Sequence, residues 1–131
     1  MDELEIIRIL QTAFENDNIK KQVLEPNWYQ LNIETGIAST GFCFSASEVL
    51  FRLTGQTQNW MLKSINDPAQ WNNGTHYFLE RRQNKEIVDI TSDQYTRRDI
   101  TIPYHLSKGK GLRNISNKAR LLARLSGLGE L

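Results

Sequence analysis

The stretch Thr75–Thr91, THYFLERRQNKEIVDIT, contains the pattern that decides the fold of this chain. Two runs rich in strand-forming residues flank the polar triplet Gln83-Asn84-Lys85, an arrangement typical of a tight β-hairpin. A turn around Gln83-Asn84 places His76 opposite residue 91 and makes Asp89 its diagonal neighbour on the same face. We therefore expect an antiparallel hairpin that brings an imidazole and a carboxylate together.

Asp89 interrupts an apolar run, Ile87-Val88-Asp89-Ile90, where a carboxylate is disfavoured and is costly to bury without a partner. A partner such as His76 removes that cost, and the carboxylate then holds the imidazole in one tautomer. The alternative is an edge-strand charge that faces water. A register shift of one residue would send the two side chains to opposite faces, so the pairing depends on the hairpin.

Cys43 is the only cysteine, and the run Cys43–Leu53 predicts a helix that ends at Gly55. The unpaired N–H groups and the dipole at a helix start favour a thiolate over a thiol. The alternative is a buried structural thiol, because Phe42 and Phe44 surround it with apolar side chains. A single cysteine excludes an internal disulfide and a cysteine-rich zinc site.

Cys43, His76 and Asp89 together supply a nucleophile, a base and a group that orients the base, which is the set that acyl transfer requires. The backbone N–H of Cys43 is one candidate oxyanion donor. Further candidates for substrate or oxyanion contacts are side chains on the predicted loops: Asn27, Gln30, Asn32, Trp71 and Gln94. With Thr91, Gln94 could instead cap the strand end or support Asp89. His105 ranks behind His76 as a base, since no carboxylate lies near it in the sequence.

The rest of the pattern predicts an α+β protein, with its 131 residues in a single domain. Leu4, Ile7, Leu10 (or Gln11) and Phe14 are the expected buried face of the first helix. The first part of the chain is expected to form an N-terminal helix over 2–16, within the segment 1–18, and an irregular stretch over 19–42 with a turn at Glu25-Pro26-Asn27. The expected strands are a short one at Trp60-Met61-Leu62, two over 75–82 and 86–91, and a short one at Ile100-Thr101-Ile102. In the C-terminal segment 105–131, a flexible basic loop, Ser107–Gly111, precedes a helix from Ser116 to Leu125 that stops at Gly127.

Charge is distributed unevenly along the chain. Residues 1–96 hold 8 basic and 13 acidic side chains, whereas residues 97–131 hold 8 basic and 2 acidic ones. The basic segment could contact nucleic acid through phosphates. Its lysines lack interleaved aromatic residues, however, so we favour solvation or pairing with the acidic part of the chain.

The N-terminus is acidic and lacks the apolar region of a secretory signal, and no apolar stretch approaches the length of a membrane span. With one cysteine, these features predict a reducing, cytoplasmic location and no contact with a membrane. The pattern implies neither a metal nor an organic cofactor.

The motifs Gly41-Phe42-Cys43-Phe44-Ser45-Ala46-Ser47, Thr75-His76-Tyr77-Phe78 and Val88-Asp89-Ile90-Thr91-Ser92-Asp93-Gln94-Tyr95, with Trp28 upstream, resemble the YunG-like proteins. These small bacterial and phage proteins resemble compact papain-like (NlpC-type) thiol enzymes, and the resemblance covers residues 28–104. It implies a papain-like α+β fold, in which a nucleophile helix packs on a small antiparallel sheet, and a Cys43–His76–Asp89 triad. Two positions depart from the pattern: Phe42 replaces a polar residue that is often Gln, and Phe78 replaces a common Trp.

These observations predict a cysteine hydrolase that cleaves an amide, isopeptide or ester bond in a peptide or small substrate. In that reaction, Cys43 attacks, His76 acts as base and then acid, and Asp89 orients His76. Two alternatives remain open. One is a cysteine-dependent acyltransferase or transglutaminase-like enzyme, and the other is a non-catalytic, phage- or defence-associated module that binds a partner through its basic C-terminal surface.

Overall fold

The computed structural model of the protein describes residues 1–66, 68 and 74–131, and these form an α+β structure. Six α-helices occur in this part of the chain: α1 (Glu3–Phe14), α2 (Asp17–Val23), α3 (Pro26–Thr35), α4 (Cys43–Leu53), α5 (Asp93–Thr96) and α6 (Asn117–Leu125). Four strands are described with them: β1 (Trp60–Asn66), β2 (Thr75–Arg81), β3 (Ile87–Val88) and β4 (Lys108–Lys110). None of these helices combines the length and apolar character that a membrane-spanning segment needs.

The four strands form one antiparallel sheet in the order β3-β2-β1-β4. One face carries Leu62 and Leu79 and packs against the helices, α4 among them. The opposite face carries Ile65 and Phe78, which pack with Tyr95 from α5. Because side chains alternate along a strand, neighbouring residues of β2 pack into the hydrophobic clusters on opposite faces of the sheet.

Short local signals begin and end the helices. The side chains of Asp2, Asn16 and Ser116 accept hydrogen bonds from the backbone N–H groups three residues on, which caps α1, α2 and α6. At the end of α6, Gly127 has a φ of +86°, and Leu128 donates its N–H to the Ala123 carbonyl. This is the glycine-terminated end that the sequence predicts.

The predicted bounds of α4 are confirmed, and β2 and β3 form the predicted antiparallel hairpin, but the prediction of an irregular stretch over 19–42 is wrong. This stretch contains most of α2 and all of α3. Pro26 is the first residue of α3 rather than part of a turn, since proline fits the first helical position, where no N–H partner is required. The N-terminal helix correspondingly ends at Phe14, and α2 already begins at Asp17.

The buried face of α1 also differs from the prediction. Leu4 is 64% exposed, whereas Ile6 and Leu10 are buried. Arg81 on β2 binds the Glu3 carboxylate at 2.6 Å. This ion pair joins the start of α1 to the sheet, while Leu4 lies on the solvent side of the helix.

Three strand predictions need correction. The strand at Trp60 continues to Asn66, while the predicted strand over 86–91 is only Ile87–Val88. The run Ile100–Ile102 is not a strand, because the Ile100 N–H bonds to the Tyr95 carbonyl. The predicted flexible loop Ser107–Gly111 instead contains β4, which pairs with β1.

Candidate active site

Cys43 is the first residue of α4, and a glycine directs the chain into that helix. Gly41 has a φ of +91°, and a Cβ there would lie 2.9 Å from the Leu24 side chain. The first intrahelical bond joins the Ala46 N–H to the Phe42 carbonyl. The N–H groups of Cys43 and the two residues after it therefore precede the helix's own hydrogen-bond ladder.

The Cys43 thiol lies beside a backbone carbonyl of β2. The Arg81 N–H bonds to the Glu86 carbonyl, so alternate residues of β2 direct their carbonyls towards β3. Since β3 pairs only with Leu79 and Glu80, the carbonyls of Thr75 and Tyr77 lie beyond its end. Two side chains from α4 reach them instead: Cys43 Sγ is 3.5 Å from the Thr75 oxygen, and Ser47 Oγ is 3.4 Å from the Tyr77 oxygen.

His76 and Asp89 are in direct contact. Leu79 pairs with Val88 and Glu80 with Ile87, which is the register that the sequence predicts, although the strand pairing ends at Val88. His76 Nε2 lies 2.6 Å from Asp89 Oδ2, and the two side chains are 0% and 4% exposed. The hairpin thus brings a buried imidazole and a carboxylate together.

The neighbours of His76 control its protonation. Burial lowers the pKa of the imidazole, but the hydrogen bond to Asp89 and the interactions with the nearby Asp89 and Cys43 side chains outweigh that effect and raise the pKa from 6.5 to about 9. His76 therefore carries its proton at neutral pH.

Tyr104 is a site residue that the sequence reasoning missed. Its hydroxyl donates to Asp89 Oδ2 at 2.8 Å. Burial, followed by the charge and hydrogen bond of Asp89, raises the pKa of Tyr104, so the phenol remains a donor. In the sequence, the one indication of this contact is that a tyrosine stands in an apolar stretch. A tyrosine that is buried there needs a hydrogen-bond partner for its hydroxyl.

Gln94 is buried more deeply than a side chain that contacts substrate would be. It is 1% exposed, and its Nε2 is 3.2 Å from His76 Nδ1 and 3.2 Å from Thr91 Oγ1. The amide nitrogen thus lies between the imidazole and the Thr91 hydroxyl inside the protein. Tyr95, the next residue of α5, packs edge-on against the imidazole with ring centroids 4.7 Å apart.

No protein-family model, curated protein or solved structure matches the chain. The function is therefore inferred from the geometry of these residues. In the part of the chain that the structure describes, no group of three or more His, Cys, Asp and Glu side chains is placed to hold a metal ion.

A cleft of about 530 Å³ opens beside Cys43. Its described lining includes two of the predicted polar candidates, Asn27 and Gln30, and the aromatic side chains of Trp28, Phe44 and Tyr77. Gln30 also donates to Glu34 at 2.9 Å across one turn of α3. The cleft thus combines apolar walls with amide groups near the thiol.

The other candidates lie elsewhere. Asn32 is buried and donates to the carbonyls of Ala38 and Thr40, both at 2.9 Å, so its amide holds the loop before Gly41. His105 is exposed. Trp71 is outside the described residues.

The basic C-terminal segment is partly neutralised within the protein. Lys118 binds Glu25 at 2.9 Å, and Arg124 binds Glu130 at 3.1 Å. Lys110 lies over the Tyr77 ring, 5.2 Å from its centroid. Of these contacts, the Lys118–Glu25 pair joins the basic segment to the acidic part of the chain, as expected, whereas Arg124 and Glu130 both lie within the basic segment. The contacts assign no partner to the surface.

Proposed function

We propose that this protein is a thiol-dependent hydrolase that cleaves an amide, isopeptide or ester bond and has a small papain-like fold. The observation that carries the proposal is the contact of the buried His76 with Asp89 at 2.6 Å, on an imidazole that also interacts with Cys43. Cys43 supports the proposal because it is the first residue of α4 and lines the cleft. The resemblance to the YunG-like proteins supports the same three residues.

The first half of the reaction forms a thioester. The Cys43 sulfur attacks the substrate carbonyl carbon, and the thiol proton resides on His76. Since His76 Nε2 faces Asp89, this proton goes to Nδ1, which also lies 3.2 Å from Gln94 Nε2. The C–N or C–O bond then breaks, and His76 donates the proton to the leaving amine or alcohol.

The second half consumes water. His76 removes a proton from water, the resulting oxygen attacks the thioester carbon, and the C–S bond breaks. The products are a carboxylic acid and the free Cys43 thiol. Asp89 remains ionised throughout and stabilises the imidazolium whenever it forms.

Both tetrahedral intermediates carry a negative oxygen that needs hydrogen-bond donors. The first-turn N–H groups of α4 are the nearest backbone donors, because they precede the helix's own ladder. Asn27 and Gln30 line the same cleft and supply the side-chain amides closest to this role. Gln94 and Asn32 donate to other acceptors and are poorly placed for it.

Alkylation by iodoacetamide tests the proposal, since a chain with one cysteine reports a single thiol. An ordinary thiol is only about 1% ionised near pH 6.5. We expect rapid alkylation of the native protein at that pH and a rate about 10- to 100-fold lower in His76→Ala and in the isosteric Asp89→Asn. His105→Ala is the matched control, since His105 is exposed, and should react like the unmodified protein.

A native protein that reacts only above about pH 8, at the same rate with and without His76, would exclude an activated nucleophile.

A second measurement detects the acyl-enzyme directly. Incubation with p-nitrophenyl acetate should add one acetyl group to Cys43 and then release acetate. Transfer of that acetyl group to an added amine, in preference to water, would instead identify an acyltransferase.

A further inference from the structure

A lysine side chain lies against two of the aromatic rings that line the cleft. Phe44 follows Cys43 in α4, and its ring meets the Tyr77 ring edge-on, with centroids 4.8 Å apart. The Lys110 ammonium lies 5.2 Å from the Tyr77 centroid and 6.0 Å from the Phe44 centroid. It also donates to the Tyr77 hydroxyl at 3.4 Å. A cation is thus held beside the aromatic part of the cleft.

The pairing of β4 explains how Lys110 reaches this position. Lys110 pairs with Leu62 of β1, and the Leu62 side chain packs in the hydrophobic cluster on the helix-covered face of the sheet. Side chains of directly paired residues lie on the same face, so Lys110 projects from the face that α4 covers. The residue itself is exposed. The strand β4 therefore presents a solvent-accessible ammonium next to the cleft.

Lys110 has no countercharge in the part of the chain that the structure describes, where no ion pair includes it. Lys118 is the lysine in the described lining of the cleft, and it differs because Glu25 binds it at 2.9 Å. An aromatic ring attracts a cation and a phenol accepts one hydrogen bond, but neither group carries a full negative charge. The remaining donors of the Lys110 ammonium can bind water or a ligand.

The acidic residue in the described lining lies on a different element. Glu34 belongs to α3, where its carboxylate accepts a hydrogen bond from Gln30 at 2.9 Å. Positive charge is therefore placed beside the Phe44–Tyr77 pair, and negative charge is placed on α3. A substrate carboxylate is attracted to the first and repelled by the second, and this difference favours one orientation in the cleft.

We propose that the substrate of this cleft carries a carboxylate, which binds Lys110, on an apolar portion that contacts Phe44 and Tyr77. This assignment names the substrate class of the proposed hydrolase and rests on that function, whereas the binding preference is measured without turnover. One ammonium balances one carboxylate. A phosphate monoester carries a charge of about −1.5 to −2 at pH 7 and would be only partly balanced, so the site favours a carboxylate.

A pair of maleimides of equal length tests this preference, since each labels the single thiol of the chain. The probe 6-maleimidohexanoic acid ends in a carboxylate, and 6-maleimidohexanamide ends in a neutral amide. The Cys43 sulfur adds to the maleimide double bond, and the neighbouring carbon takes a proton from solvent. Intact-mass spectrometry gives the rate for each probe. We expect Lys110→Met to lower the ratio of the acid rate to the amide rate about 2- to 5-fold, which is the range for an exposed ion pair.

Two further variants separate a site from general surface charge. Lys110→Arg keeps the cation and should retain the native ratio. Lys108→Met is the matched control, because Lys108 is an exposed lysine two residues away on the same face of β4, and it should leave the ratio unchanged. The ratio cancels any change in the reactivity of the thiol itself.

An unchanged ratio in Lys110→Met would overturn the proposal if it is found both with this pair and with the shorter 3-maleimidopropionic acid and its amide. An equal decrease in Lys108→Met would also overturn it, because the preference would then come from diffuse charge rather than from Lys110. A decrease confined to Lys110→Met, restored in Lys110→Arg, would support the site.

The outcomes for the two proposals differ. Maleimides react with ordinary thiols near neutral pH, so the ratio is measurable even if Cys43 is not activated. A ratio that depends on Lys110, in a protein whose thiol behaves as an ordinary one towards iodoacetamide, would refute the hydrolase and retain the preference for a carboxylate. An activated thiol whose ratio does not depend on Lys110 would refute the preference alone.

Discussion

Asp89 accepts two hydrogen bonds on one carboxylate oxygen, from His76 at 2.6 Å and from Tyr104 at 2.8 Å. The other oxygen lies 3.4 Å from the Thr91 N–H. The Tyr104 hydroxyl therefore draws charge away from the oxygen that faces the imidazole. At the scale of residues, the site is a chain from phenol to carboxylate to imidazole, rather than three isolated groups.

Tyr104→Phe removes one donor from that chain. We expect the pKa of His76 to rise, because more of the Asp89 charge then faces the imidazole, and the free energy of unfolding to fall by about 1–2 kcal/mol. Histidine titration by magnetic resonance and urea denaturation measure the two effects. Tyr29→Phe is the control: it also removes a hydroxyl bound to a carboxylate, Asp17, but at an exposed site. Equal effects of the two substitutions would contradict this role for Tyr104.

At the scale of elements, a buried carboxylate connects α4 to α6. Glu48 on α4 is fully buried, and it binds Arg52 at 3.2 Å and accepts the Ser116 N–H at 3.3 Å. Ser116 is the residue that caps α6. The helix that carries Cys43 is thus held at its middle by the start of another helix, and its first turn remains at the cleft.

Glu48→Gln keeps the shape of this side chain and removes its charge. We expect a loss of about 1–3 kcal/mol in the free energy of unfolding, since the bonds to a buried charge weaken and Arg52 loses its counter-ion. Glu130→Gln provides the comparison, because the Glu130–Arg124 pair is exposed and should contribute less than about 1 kcal/mol. Thermal or urea unfolding measures both. A change no larger in Glu48→Gln than in Glu130→Gln would argue against a structural role for the buried pair.

The whole molecule places its sheet between two unequal layers. Helices cover one face, and the smaller cluster with Tyr95 and Ile102 covers the other, where His76 also lies. This second layer keeps the imidazole dry and close to Asp89. The protonation of His76 is therefore linked to the folding of the entire domain.

Stability should fall as the medium becomes alkaline. The folded protein raises the pKa of His76 from 6.5 to about 9, so this contribution is complete below pH 6.5 and disappears as the pH rises through about 9. Its size is about 3 kcal/mol, by the free energy of the shift. Urea denaturation between pH 6 and pH 10 should show the loss, and Asp89→Asn should reduce it. His105→Gln should retain the native profile, and a profile that depends equally on both histidines would contradict the assignment.

Prediction from the sequence succeeded where local chemistry was decisive. The bounds of α4 follow from an apolar pattern with a glycine stop, and the hairpin register follows from its turn. The helices α2 and α3 were missed because α2 has only seven residues and α3 buries only Asn32, so neither carries a clear apolar period. The strand β4, Lys-Gly-Lys, has no strand propensity and exists through its backbone pairing with β1.

The sequence by itself determined that a helix begins at Cys43 and that His76 and Asp89 share a face, since both follow from periodicity within a few residues. Only the tertiary structure decided that β3 ends after two residues, which leaves the Thr75 carbonyl to the thiol. It also brought Gln94 and Tyr104 to the imidazole and its carboxylate. Those contacts join segments that are far apart in the chain, and they depend on which buried polar groups need partners once the layers have packed.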